Sequence, residues 1–199
     1  MPRPRRIVVP DIPHHLTQRG NYRQKTFLSD HDYQFYLDLL FDFAPLAGVS
    51  LLEYCLMPNH VHLIAVPTRE DAFSRWLQRV HADYARRLRR VGRLWQARYH
   101  SVALDDRHLR VVREYIYQNP VRAGLVRDPL DWPWSSARRN GSRAGFRIEL
   151  AELQRIREGT ISGRPLGSAE FLESIRPFLP PQKVAKKRGP PAKARAAAA

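Results

Sequence analysis

At 199 residues, 43% of them hydrophobic, the chain is globular in composition and can bury one sizeable core. Thirty-four Lys+Arg against nineteen Asp+Glu give a formal net charge of +15; this excess predicts a polyanionic partner, because neutralising phosphates releases condensed counterions. One cysteine, Cys55, excludes an internal disulfide and a cysteine-based zinc cluster, and the apolar stretch 39–57 is broken by Asp42, Pro45 and Glu53, which excludes a membrane span.

"HHLTQRG" (14–20) reads as a short strand ending at Gly20, followed by the basic, aromatic-bearing loop "NYRQKTFL". Ser29 and Asp32 form a capping-box start for a helix with Tyr33, Tyr36, Leu37, Leu40 and Phe41 at helical spacing, ended by Pro45 and Gly48. Residues 49–57 and 61–67 read as two strands joined by the turn "PN". A second helix is expected over about 71–91, with Phe73, Trp76, Leu77, Val80, Tyr84 and Leu88 on its apolar stripe. "WQARYHSVALD" (95–105) supplies a fourth strand, and Asp105 or Asp106 caps a third helix over about 107–119, stopped by Pro120.

The order βαββ(α)βα predicts an α+β plan: an antiparallel sheet with helices packed on one face, compatible with a ferredoxin-like sandwich. Residues 148–158 and 168–178 are candidates for short amphipathic helices. The expected division is a main domain over 1–145, a short helical extension over 146–178 and a disordered basic tail over 179–199, which has no acid after Glu173.

"YCLMPNHVHLIAVP" (54–67) places His60 and His62 in an otherwise apolar run. Residues i and i+2 of a strand share a side, so both imidazoles project from one face. Paired imidazoles on a stiff strand suit a divalent metal, although two satisfied or exposed histidines would have the same spacing. The third helix offers a complement in "REYIYQNPVRAG" (113–124). Tyr115 and Asn119 are four apart and share a helix face. An amide oxygen is a reasonable ligand for Mg²⁺ or Mn²⁺, and a phenol held beside it is placed to act as a nucleophile. Tyr117 projects about 200° away from Tyr115 around the helix. A histidine-triad hydrolase would want a third alternating histidine, and position 64 is Ile.

Together "MPNHVHLIAVP", "YIYQNPVRAGLV", "DWPWSSARR" and the opening "PRPRRIVVP...HHLTQRGNYRQKTF" resemble the IS200-like single-tyrosine transposases, most closely their REP-associated branch. The resemblance covers about residues 3–140 and implies a ferredoxin-like HUH endonuclease fold, in which U is a bulky apolar residue. Carried over by position, it implies a divalent cation, Mg²⁺ or Mn²⁺, on His60, His62 and Asn119, with Tyr115 as nucleophile. It further implies cleavage of single-stranded DNA next to a hairpin through a 5′-phosphotyrosine link, then strand transfer by reversal. A non-catalytic single-stranded nucleic-acid binder on the same fold is the alternative.

Expected DNA contacts are Arg19, Asn21, Tyr22 and Arg23 after the first strand, Arg86, Arg87 and Arg90 on the second helix, and Arg98 and Arg122. Trp132 and Trp134 read as packing anchors against the sheet. The expected location is the bacterial cytoplasm, at the nucleoid, with no membrane partner; a monomer is expected, with a dimer as the alternative.

Overall fold

The computed structural model describes residues 6–89, 92–141 and 147–180. Arg90 and the tail from residue 181 therefore lie outside the described residues. The elements are β1 (His14–Arg19), α1 (Asp30–Leu46), β2 (Val49–Met57), β3 (His60–Pro67), α2 (Ala72–Leu88), β4 (His100–Ala103) and α3 (Asp106–Tyr117), followed by α4 (Asn119–Arg122), α5 (Ala137–Asn140), α6 (Leu150–Ser162) and α7 (Ala169–Ser174). The strands form one antiparallel sheet in the order β2-β3-β1-β4, the arrangement of a ferredoxin-like fold.

Local chemistry sets the element ends. The Ser29 hydroxyl accepts from the Asp32 backbone N–H at 3.3 Å, and the Asp32 carboxylate accepts from the Ser29 N–H at 3.1 Å, a complete capping box for α1. Pro45 does not stop α1. It sits in the last turn, and the chain reverses at Gly48, whose φ of 72° is a left-handed value that glycine adopts freely. At the N-terminus of α3 the Asp105 carboxylate accepts from the His108 N–H at 2.7 Å.

The expectation that helices cover one face of the sheet is corrected: they cover both. Leu16, Val61, Leu63 and Ala65 pack with α1 and α2 residues such as Tyr36, Leu40, Phe73 and Trp76. On the opposite face Cys55, Met57, Ile64 and Val102 pack with Val112, Ile116 and Tyr117 of α3 and Ile156 of α6. The reason is visible in β3, which is buried along most of its length on both sides, as a central strand must be.

Two further corrections bear on the site. The fourth strand is only His100–Ala103; the preceding run touches the sheet through one bridge, Gly20 to Trp95, and then bows away from it. Pro120 does not end the helical path: after Gln118 the chain resumes as α4, with Pro120 in the first turn, where its missing N–H is harmless.

Both edges of the sheet are closed by later segments. Leu56 donates its N–H to Trp134 O at 2.8 Å along β2, and Leu166 donates to Ala103 O at 2.9 Å along β4. Covering the edges removes templates for pairing with other chains. Trp132 donates its indole N–H to Leu56 O at 2.9 Å, and Trp134 stacks on Tyr33 with ring centroids 4.8 Å apart, the anchoring role read from the sequence.

Candidate active site

On the face that carries α3, a cavity of about 510 Å³ opens between β1, β3, the bowed segment 96–98 and α6. Its lining includes His60, His62, Tyr115 and Asn119 from the sequence reading, with Arg19 and Arg98 beside them. Strand alternation delivers the histidines: Val61 faces the α1–α2 core, so His60 and His62 face the cavity. Their ring centroids are 4.9 Å apart, and the Tyr115 ring meets His62 edge-on at 5.9 Å.

Each histidine is held through its Nδ1. His60 Nδ1 lies 2.6 Å from Asn59 Oδ1, and the Asn59 amide donates in turn to Arg23 O at 3.2 Å. That second bond orients Asn59 so that its oxygen meets the ring, and His60 must therefore donate. His62 Nδ1 lies 2.9 Å from His15 Nε2. Burial pushes the His60 pKa down to about 4, helped by Arg19. Burial also holds His62 well below the usual imidazole range, with His60, His15 and the guanidiniums of Arg122 and Arg19 adding to the effect. Neutral imidazoles with Nδ1 occupied are the form in which histidine ligates metal.

Tyr115 and Asn119 are tied together by Arg122. Its Nη2 donates to Tyr115 O at 2.5 Å and to Asn119 Oδ1 at 2.7 Å, and its guanidinium lies 4.5 Å over the Tyr115 ring. Asn119 Oδ1 is thus already an acceptor, with a second lone pair remaining, and its buried Nδ2 has no hydrogen-bond partner among the described residues. Among the described residues no cluster of three or more His, Cys, Asp or Glu occurs. The donor set on offer is therefore two imidazoles and an amide oxygen, which fits a divalent cation that leaves positions open for a substrate.

Tyr117, two residues from Tyr115, lies on the other side of α3. It is fully buried, and its hydroxyl donates to Glu53. The β2–β3 register shifts between Leu51 and Glu53, as at a bulge. Ser136 and Asn140 donate to the same carboxylate at 2.8 and 2.7 Å, and Arg113 pairs with it at 3.1 Å. Burial, together with the hydrogen bond to Glu53 and the charge on that carboxylate, raises the Tyr117 pKa.

The expected DNA contacts fall into groups. Arg19, Arg98 and Arg122 surround the site. Tyr22 is 93% exposed, and both it and Arg23 have positive φ, 49° and 58°, so that loop holds an aromatic ring out in a sparsely populated backbone state. Asn21 donates its backbone N–H to Leu94 O at 2.8 Å and ties the loop down. Gly20 is required beneath it, since a Cβ there would lie 2.5 Å from Gln24 O. Arg86 pairs with Asp83 at 2.9 Å, and Arg87 lies 4.6 Å over Phe35 while contacting His31; neither lines the cavity.

The sequence reading missed His15, Thr160 and Arg157, which lie at or against this cavity. The doublet His14–His15 was the available signal, because adjacent strand residues face opposite sides and one of the two must face the site.

The antiparallel four-stranded sheet thus carries a histidine–apolar–histidine strand faced by the helix that bears Tyr115. The sequence model of the family described as "Transposase IS200 like" matches residues 8–119, and the chain belongs to that family. It is 27% identical over 147 residues to a Haemophilus influenzae protein named as belonging to the REP-associated tyrosine transposases, covering 63% of this chain and 84% of that one. It is 32% identical over 102 residues to the Escherichia coli REP-associated tyrosine transposase, covering 49% and 60% of the two chains. The fold is also similar to the structure of a REP-associated tyrosine transposase bound to a REP hairpin, with a TM-score of 0.63, 23% identity and coverage of 74% and 89%. Among the described residues no helix is long and apolar enough to cross a membrane.

Proposed function

We propose that the chain is a divalent-metal-dependent nickase and strand-transferase that acts on single-stranded DNA beside a hairpin. The observation that supports it best is the edge-on approach of the Tyr115 ring to His62 within a basic cavity whose two histidines are both held through Nδ1. In this reading His60, His62 and Asn119 hold Mg²⁺ or Mn²⁺. When bound, the cation neutralises the scissile phosphate and stabilises the departing oxygen.

The protein's own residues supply the rest. Arg19 and Arg98 hold the DNA backbone at the cavity rim. Arg122, stacked over the Tyr115 ring, holds that ring in place beside the histidines. The Tyr115 oxygen attacks phosphorus, forming a phosphotyrosine, and the P–O3′ bond breaks. The phenolic proton is lost to solvent and the 3′ oxygen takes one up. Because the phosphoester keeps the bond energy, a 3′-OH reverses the step without an external energy source. Tyr22, projecting from its strained loop, is placed to stack on an unpaired base. His60, His62, Tyr115 and Asn119 all meet within one chain, so a single chain is sufficient to supply the site.

The test is incubation with hairpin-bearing single-stranded DNA and Mn²⁺, followed by a search for a denaturation-resistant protein–DNA adduct. The adduct is expected with the parent protein and Tyr117→Phe, and absent with Tyr115→Phe or in EDTA. Hairpin binding by the parent without any adduct would replace this reading with that of a binding protein.

A further inference from the structure

When two neutral imidazoles face each other through one nitrogen apiece, only one of them supplies the shared proton. Which ring does so decides where the other keeps its lone pair. His15 Nε2 and His62 Nδ1 are in that relation, 2.9 Å apart with an interplanar angle of 10°. The decision is made at the far side of His15. There Nδ1 faces Thr160 Oγ1, on α6, at 3.5 Å. The Thr160 hydroxyl spends its one proton on Ile156 O at 2.7 Å, one turn back along the helix. It therefore presents lone pairs to His15, a long contact that favours the ring proton on His15 Nδ1. His15 Nε2 is then an acceptor, His62 Nδ1 is the donor, and His62 Nε2 is left bare.

We propose that Thr160 and His15 are positioning residues that lock His62 in the Nδ1–H tautomer and so present Nε2 as the metal-ligating atom. The purpose of the lock rests on the metal reading above; the tautomer does not. The relay also gives the helical extension a task, because its last link comes from α6. Gly159 lets that helix seat closely: a Cβ there would lie 3.1 Å from Leu166, the residue paired along β4.

The test uses metal-free, ¹⁵N-histidine-labelled full chain. Long-range ¹H–¹⁵N correlations should show His62 protonated at Nδ1 in the parent and in Thr160→Ser. Thr160→Val, which keeps the shape and removes the acceptor, should populate the Nε2–H form and weaken Mn²⁺ binding, read by electron paramagnetic resonance, by about tenfold. Nε2–H on His62 in the parent, or a valine variant indistinguishable from the serine variant, would overturn the relay. A parent that shows the Nδ1–H tautomer but does not bind Mn²⁺ would support the relay and overturn the metal reading instead. Thermal melts of both variants establish that the fold is retained.

Discussion

Leu16, Val61, Leu63 and Ala65 meet α1 and α2 on one face of the sheet, whereas His15, His60 and His62 meet α3 and α6 on the other. The same two strands supply both sets, one residue out of step. The first face is dry and hydrocarbon-packed, with Trp76 as its largest fully buried side chain. The second is a network of imidazole, amide, hydroxyl and guanidinium groups around a cavity. Apolar burial stabilises in proportion to area and without direction, while the polar face depends on which atom faces which. The difference teaches that stability and chemistry are separable here by parity along a strand.

The largest expected effect breaks the dry face alone. Trp76→Ala leaves a cavity and removes the indole hydrogen bond to Leu40 O, 3.0 Å in the parent. A loss of about 3–5 kcal/mol is expected in urea unfolding, with the Mn²⁺ affinity of the remaining folded fraction unchanged. A parallel collapse of Mn²⁺ affinity under conditions where the variant is folded would show that the faces are coupled.

Tyr117→Phe tests the boundary. It removes one donor from buried Glu53 while leaving Ser136, Asn140 and Arg113 in place. A loss of about 1–3 kcal/mol is expected, with adduct formation intact. Tyr115→Phe should reverse the pattern: little change in stability and no adduct. If the two phenylalanine variants lose the same property, the assignment of one tyrosine to chemistry and the other to packing fails.

The parts of this arrangement that local spacing determines were legible in the sequence. The i, i+2 histidines, the i, i+4 pair Tyr115 and Asn119, and the Ser29–Asp32 cap are all relations between residues at most four positions apart, and the resemblance joined the first two into one site. His15 and Thr160 were not legible, because they meet across 145 residues and only once β1 has paired with β3 and α6 has docked on β4. The same limit explains the helices assigned to one face: a helical stripe shows that a helix packs, not which side of the sheet it packs against. The overlong fourth strand has a different cause. Trp95 and Tyr99 have strand-like character, but Trp95 packs on Tyr36, His81 and Tyr84 of α1 and α2, and Tyr99 on Arg6 and Ser74, so side-chain packing against the helices rather than a continuous strand accounts for their burial.

The smallest effect concerns His14, next to His15 and facing the opposite way. It accepts from the Val9 N–H at 3.1 Å, donates to Ile12 O at 2.7 Å and lies edge-on to Phe73 with ring centroids 5.2 Å apart. Burial lowers its pKa to about 4. In the unfolded chain the group titrates near 6.5, so the folded state binds fewer protons between these values. Its contribution to stability is therefore present above about pH 6.5 and is lost as pH falls towards 4. Between pH 7.5 and 5.5 that one group accounts for about 1.4 kcal/mol. Other buried histidines add to the total, so the informative quantity is the difference between parent and His14→Gln in urea unfolding at the two pH values. The variant should lose about 1.4 kcal/mol less than the parent on acidification. Equal losses in the two proteins would mean that the dry face tolerates a charged imidazole, and the contrast between the two sides of the sheet would no longer rest on solvation.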